Sequence, residues 1–227
     1  MKTFKNTIAI LAILFITSCS KDDAPATALN STPIIDTKLT LPAVLSNDNV
    51  LLIPDAIKIA GTTTDCGISC TPGSVSSEII IDKDGVIANP SKICIEIDLV
   101  HNYAVEIVAE LIAPSGESCG LLKRIYANTD SGCAPSVSVK YQAGNKLSFN
   151  SLNTTPVPTG IVPTGNYAPT AANNGNFPAL VPMISLNTFL NNKNIKGTWK
   201  LKVYDCSKDD TGKLNSWKLK FDVGALQ

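Results

Sequence analysis

The sequence predicts an all-β protein, an antiparallel β-sandwich, and three observations carry that prediction. Apolar and polar residues alternate in the ordered segments, which is the period-two pattern of half-buried strands. Gly, Pro, Asn and Asp cluster between those segments at turn positions. No long stretch repeats its apolar residues at a helical period. Many short strands without helical crossovers favour a sandwich or a barrel.

In chain order, the alternation and shorter apolar runs predict eight strands. They are residues 78–81, 93–99, 105–112, 121–126, 137–141, 146–149, 199–203 and 217–223. Trp199 and Trp217 fall on the apolar faces of their strands, so we predict that both lie in the core. Residues 150–182, rich in Pro, Gly, Thr and Asn, are predicted to form one long loop.

Residues 1–18 have the organisation of a bacterial leader. Lys2 and Lys5 precede an apolar run at residues 8–16 that is too short to span a bilayer as a stable helix. The following Ile16-Thr-Ser-Cys19 resembles a lipobox, so Cys19 is predicted to be acylated and to become the mature N-terminus. A secretory leader that merely ends near a cysteine is the alternative.

The remaining chain divides into a tether and a folded domain. Residues 19–48 are predicted to be the lipidated cysteine and a flexible tether, since residues 24–33 contain little to bury. Residues 49–227 are predicted to form the β-sandwich. The segment Ser20-Lys-Asp-Asp23 resembles an export tag of surface lipoproteins. It predicts a lipid-anchored protein of the outer membrane, exposed at the cell surface.

Charge and composition narrow the function classes. The chain has 19 basic and 19 acidic side chains, so its formal net charge is zero. Loss of the two leader lysines gives the mature chain a charge of 17 − 19 = −2. This balance argues against nucleic-acid binding, which needs a basic surface. The single histidine also makes acid–base catalysis an unpromising prediction.

The seven cysteines divide into Cys19 and six others. An even number in an exported chain suggests three disulfides, although six cysteines allow 15 pairings. A zinc site is disfavoured because only one pair has knuckle-like spacing and no histidine accompanies it. The preferred pairings are Cys66 with Cys70, Cys119 with Cys133, and Cys94 with Cys206 by elimination.

Three segments resemble the P domain, or Homo B domain, that follows the catalytic domain in proprotein convertases and bacterial subtilisin-like proteases. The first is His101-Asn-Tyr-Ala-Val-Glu-Ile-Val-Ala-Glu-Leu-Ile-Ala-Pro-Ser-Gly116. The others are Gly197-Thr-Trp-Lys-Leu-Lys-Val-Tyr-Asp205 and Asp210-Thr-Gly-Lys-Leu-Asn-Ser-Trp-Lys-Leu-Lys-Phe221. The resemblance spans about Val50 to Val223 and implies a jelly-roll β-sandwich of the galactose-binding-like type.

The residues do not supply a protease. A subtilisin domain of family size does not fit between Cys19 and Val50, and no serine lies in a Gly-x-Ser-x-Gly elbow. His101 occupies the family's own histidine position, where a hydrogen bond in a strand corner is the expected role. Asp130-Ser-Gly and Asp210-Thr-Gly recur like the tripeptides of aspartic proteases. Their polar flanks predict turns instead.

Two candidate ligand sites lie in loops. Asp205, Asp209 and Asp210 crowd one loop, and three carboxylates in a turn can collect Ca²⁺; a solvated acidic turn is the alternative. The family's Gly-Asp pair is Val105-Glu106 here and its Phe-Asp-Asp is Phe149-Asn150-Ser151, and these departures weaken a Ca²⁺ site taken by analogy. Tyr167 and Phe177 in the long loop are the predicted ligand-stacking rings.

These observations predict a non-catalytic surface lipoprotein that carries a P domain and binds a protein or glycan. No cofactor is expected apart from possible Ca²⁺. The alternative function is an accessory role, in which the domain docks on and stabilises a separately encoded subtilisin-like serine endopeptidase.

Overall fold

Two β-sheets, of six and four strands, contribute hydrophobic residues to one main core, and the described residues also form two two-stranded sheets. The computed structural model describes residues 38–64, 69–124, 138–169, 181–182 and 184–227. The predicted all-β sandwich is confirmed, whereas the jelly-roll order stays a prediction. No helix in the described part of the chain combines the length and hydropathy needed to cross a bilayer.

The described residues contain fourteen strands and one short α-helix, α1, at Leu186–Leu190. The strands β1 to β14 are, in order, Ala43–Asn47, Leu51–Ile53, Ile57–Lys58, Cys70–Thr71, Gly73–Ile81, Ile93–His101, Ile107–Ile112, Ser118–Leu122, Val139–Lys140, Lys146–Phe149, Gly160–Ile161, Gly165–Tyr167, Gly197–Asp205 and Gly212–Phe221.

The larger sheet has six strands in the order β1-β14-β6-β10-β12, and β2 also pairs with β14. The smaller sheet has the order β5-β13-β7-β8. Most pairs are antiparallel, as predicted, but β10–β12 and the small pair β9–β11 are parallel. Pairs of strands far apart in sequence therefore build both sheets.

The core follows the period-two pattern that predicted the strands. Ile93, Ile95, Ile97 and Leu99 of β6 are each at most 1% exposed, and the intervening residues face outward. Trp199 and Trp217 are each 1% exposed, as predicted. Their indole nitrogens donate to Ile195 O at 2.8 Å and to Ser77 Oγ at 3.0 Å. Both large side chains are thus buried without an unpaired donor.

Several strand boundaries differ from the predictions, and three of them are informative. Ala43–Asn47 pairs with β14, so the sheet begins inside the predicted tether that ends at residue 48. The predicted strand at residues 105–112 begins only at Ile107, because residues 104–106 form a 3₁₀ turn. Val223 is 68% exposed and lies beyond β14. Alternation in sequence does not mark where a strand loses its partner.

Candidate functional site

Two polar residues meet between the sheets at one end of the sandwich. His101 ends β6 and Asp205 ends β13, and each is 0% exposed. Each continues the inward-facing positions of its strand, where the preceding residues are isoleucine, leucine, tryptophan and valine. Inward-facing side chains of the two sheets therefore meet here. A hydrogen bond between His101 and Asp205 takes the place of the apolar contacts made by the preceding inward-facing residues of the same strands.

Hydrogen bonds engage both ring nitrogens of His101. Nδ1 accepts from the Tyr103 N–H at 3.2 Å, so the ring proton resides on Nε2. Nε2 then donates to Asp205 Oδ2 at 3.0 Å. Asp205 Oδ1 accepts from the Ser207 N–H at 3.2 Å. The pair is a fully bonded tie between the two sheets.

Glu106 is the third member of this buried cluster. It lies in the 3₁₀ turn after β6 and is 5% exposed. Its Oε2 is buried without a hydrogen-bond donor among the described residues. Burial, followed by the negative charge of Asp205, raises the pKa of Glu106 to about 7. The Arg124 guanidinium, 4% exposed, interacts electrostatically with both carboxylates.

The cluster has metal-like spacing but not the hydrogen bonding of a metal site. One ligand atom each from His101, Glu106 and Asp205 lies within 4.8 Å of the others. Coordination through Nε2 would move the ring proton to Nδ1, where it would face the Tyr103 N–H. A histidine that binds metal instead donates its second N–H to an acceptor. We therefore interpret the cluster as a structural tie.

The predicted Ca²⁺ ligands do not come together. Asp205 points into the core and uses both oxygens for the bonds to His101 and Ser207. Asp209 has a 69% exposed side chain and pairs with Lys208 at 3.0 Å. Strand parity turns Asp205 inward, away from the loop that its neighbours occupy, so this set is wrong. Ca²⁺ binding elsewhere in the chain stays a prediction.

The predicted Cys94–Cys206 disulfide is also wrong. Both residues carry free thiols. Cys94 lies on the outward face near the start of β6, whereas Cys206 follows Asp205 beside the other end of that strand. Seven residues of extended chain between Cys94 and His101 span about 23 Å, far beyond disulfide reach. Burial raises the pKa of the Cys206 thiol to about 12.

The other predicted pairings involve residues outside the described part of the chain. Cys66, Cys133 and the lipidation candidate Cys19 all lie there. Cys70 is buried in β4. Cys119 is a buried free thiol whose Sγ donates to Ile184 O at 3.3 Å, and its predicted partner Cys133 lies outside the described residues.

Tyr167 is not available for stacking on a ligand. It is 4% exposed, and its hydroxyl donates to Pro163 O at 2.7 Å. Its position in β12, paired with β10, turns the ring into the core, which corrects the prediction. Phe177, the second predicted ring, lies outside the described residues, as does Asp130.

A groove lies on the outer face of the larger sheet near the cluster, and sequence reasoning missed it. Its volume is about 580 Å³, within the usual range of ligand pockets. Leu52, Lys213 and Val100 are register partners on three adjacent strands, and all three line the groove. The further lining residues are Ile53, Pro54, Asp55, Asn102, Ala143, Thr211, Gly212 and Asn215.

Gly212 lines the groove and also lies directly against the buried His101 ring. A Cβ at this position would lie 2.4 Å from His101 Cδ2 and 2.6 Å from Val100 O. We expect Gly212→Ala to lower the free energy of unfolding by about 1 to 3 kcal/mol, because the imidazole must shift. Urea denaturation measures this change. Thr211→Ala, at the exposed neighbouring position, is the control, and equal midpoints for the two variants would contradict the prediction.

Fold and site together define a β-sandwich module with a buried His–Asp tie and an open groove. Residues 169–221 match the family model of the proprotein convertase P-domain, which confirms the resemblance over that segment. No curated protein matches the chain.

Two solved structures are similar to the chain. One is a serine protease of Aeromonas sobria, with 18% identity, a TM-score of 0.33, and coverage of 81% of this chain and 28% of that one. The other is the complex of that species' serine protease with the chaperone ORF2, with 17% identity, a TM-score of 0.32, and coverage of 81% and 27%. The chain thus spans less than a third of either protease chain.

Proposed function

We propose that the protein is a non-catalytic binding module, held at the cell surface by a lipid on Cys19. The P-domain match supports the module class, and the open groove supports binding. The observation that carries the proposal is the hydrogen bonding of His101, the only histidine of the chain. With both ring nitrogens engaged and no exposed surface, it has no nitrogen with which to activate a serine.

Hydrolysis assays test the absence of catalysis. We expect the purified full-length chain to leave casein and fluorogenic peptides uncleaved. Gly212→Ala is a useful companion, because it displaces His101 without removing it. Cleavage by the wild-type chain that is lost in Gly212→Ala would contradict the non-catalytic proposal.

The lipid anchor is proposed from the leader and the lipobox-like residues before Cys19. Two or more acyl chains hold a protein at a membrane far more firmly than one. We expect Cys19→Ser to move the protein from the membrane fraction to the soluble fraction and to abolish incorporation of labelled palmitate. Cys94→Ser, at a folded-domain thiol, is the matched control. Unchanged palmitate labelling in Cys19→Ser would contradict the anchor.

The outer membrane and cell-surface location rests on the export-tag-like residues Ser20-Lys-Asp-Asp23. Protease shaving of intact cells tests it. We expect the protein to be degraded without lysis, whereas replacement of Lys21, Asp22 and Asp23 by alanine is expected to protect it.

Affinity capture from the native cell surface tests the binding role. A ligand that is retained by the wild-type chain, and lost when groove residues are replaced, is the expected result.

The second candidate function is an accessory to proteolysis, and the proprotein convertase P-domain match favours it. In this role the domain docks on a separately encoded subtilisin-like protease and stabilises it. Capture of such a protease, together with a shorter lifetime of the protease in cells that lack this protein, would select this function.

A further inference from the structure

The groove contains a lysine that has no carboxylate partner among the described residues. Lysines on the outward faces of β10 and β14 are otherwise paired: Lys146 contacts Asp98, and Lys218 and Lys220 contact Glu96. Lys213 is exposed and forms no ion pair within the described part of the chain. Its ammonium is therefore available to an anionic group of a ligand.

Aliphatic side chains flank this lysine on both sides. Leu52 and Val100 are its register partners on β2 and β6, so the row crosses three strands and about 10 Å. Leu52 is 69% exposed, although the outward positions of an antiparallel strand with one solvated face usually carry polar residues. If an anionic group of a ligand binds Lys213, the adjacent groups of that ligand would thus contact the aliphatic side chains of Leu52 and Val100.

The polar walls of the groove are largely uncharged or already engaged. Asn102 and Thr211 are exposed at its rim. Asp55 Oδ2 accepts from the Asp209 N–H at 2.9 Å, whereas Asp55 Oδ1 is buried without a hydrogen-bond partner among the described residues. Asn215 donates to Asp98 Oδ1 at 3.1 Å. Lys213 is therefore the one cationic side chain of the described lining, and it forms no ion pair with a described carboxylate.

We propose that the groove binds a polypeptide segment that carries a carboxylate next to an aliphatic side chain. Lys213 pairs with the carboxylate, Leu52 and Val100 contact the aliphatic side chain, and the Asn102 amide bonds the ligand backbone. A glycan fits less well, since the described lining contains no aromatic face on which a sugar ring could stack. This inference rests on the proposed binding role.

The position of the groove suits a tethered protein. β14 runs from Gly212 at the groove to Phe221, whose partner Ala43 is where the chain enters the sheet. Nine residue steps along the strand separate these ends by about 30 Å. The groove therefore lies at the end of the sheet opposite to the N-terminal entry.

Selection from a phage library of short random peptides on the immobilised full-length chain tests the proposal. We expect the enriched peptides to place Asp or Glu beside Leu, Ile or Val. Lys213→Ala should weaken their binding about fivefold, as expected for loss of one exposed charge pair. Leu52→Thr should weaken it as well, and Lys213→Arg should retain it.

Lys200→Ala is the matched control, because Lys200 is a half-exposed lysine of β13 that pairs with Glu78 at 2.7 Å. Peptides without an acidic residue, or equal binding by Lys213→Ala and Lys200→Ala, would overturn the proposal. Binding of a glucuronate-containing oligosaccharide in place of any peptide would also overturn it. Those results would leave the proposed binding role intact. Affinity capture from the native cell surface that retains no ligand would instead contradict the binding role.

Discussion

Asp205→Asn is expected to lower the free energy of unfolding by about 3 kcal/mol, because a buried charged partner is removed from an engaged network. The Asp205 carboxylate accepts two hydrogen bonds, one on each oxygen. An amide of the same shape has one oxygen, so it would direct an NH₂ group at either His101 Nε2–H or Ser207 N–H. Two buried donors would then face each other. Urea denaturation measures the loss.

Asp209→Asn is the matched control for this variant. It makes the same chemical change a few residues away, at a side chain that is 69% exposed. Asn also tolerates the positive φ of 85° at this position. We expect a change within about 0.5 kcal/mol. Similar losses for the two variants would show that the His101–Asp205 tie does not stabilise the fold.

Glu106→Gln is expected to flatten the pH dependence of stability. Burial, and then the charge of Asp205, raises the pKa of Glu106 to about 7 in the folded chain, from 4.5. A raised carboxyl pKa means that the folded state holds a proton that the unfolded state has released. The associated stability is complete below pH 4.5 and is lost as the pH rises to about 7, a loss of about 3 kcal/mol for wild type.

The glutamine cannot ionise, so this loss should disappear from the variant. Chemical denaturation at about pH 5 and about pH 8 compares the two proteins, and the variant should gain relative stability at the higher pH. Glu78→Gln is the control, since Glu78 is a half-exposed carboxylate on β5. Wild-type and Glu106→Gln profiles that run parallel over this range would exclude Glu106 as the titrating group.

The strands and their buried faces were predictable because alternation is a local property. Residues 93–99, 199–203 and 217–223 each lie within a strand of the structure or overlap one, and Trp199 and Trp217 are in the core. The P-domain resemblance was readable for the same reason, since it rests on short segments with characteristic residues. The Cys19 lipobox and the leader are likewise local patterns, and they stay predictions.

The sites were less predictable because they depend on which strands pair. His101 and Asp205 both continue inward-facing positions, a signal that the sequence contains. Their meeting requires the two sheets to stack with those strand ends together. The Cys94–Cys206 pairing and the ligand set of Asp205, Asp209 and Asp210 failed on the same point, since they relied on counting cysteines and on aspartates that are close in sequence.

The sequence by itself determined the all-β class, the inward and outward faces of the main strands and the P-domain resemblance. Only the tertiary structure decided that His101 and Asp205 form a buried tie, that Glu106 lies buried beside them, and that Leu52, Lys213 and Val100 form one row. The physical reason is the distance along the chain over which each feature is determined. A strand's periodicity follows from neighbours along the chain, whereas register and sheet stacking join residues more than a hundred positions apart.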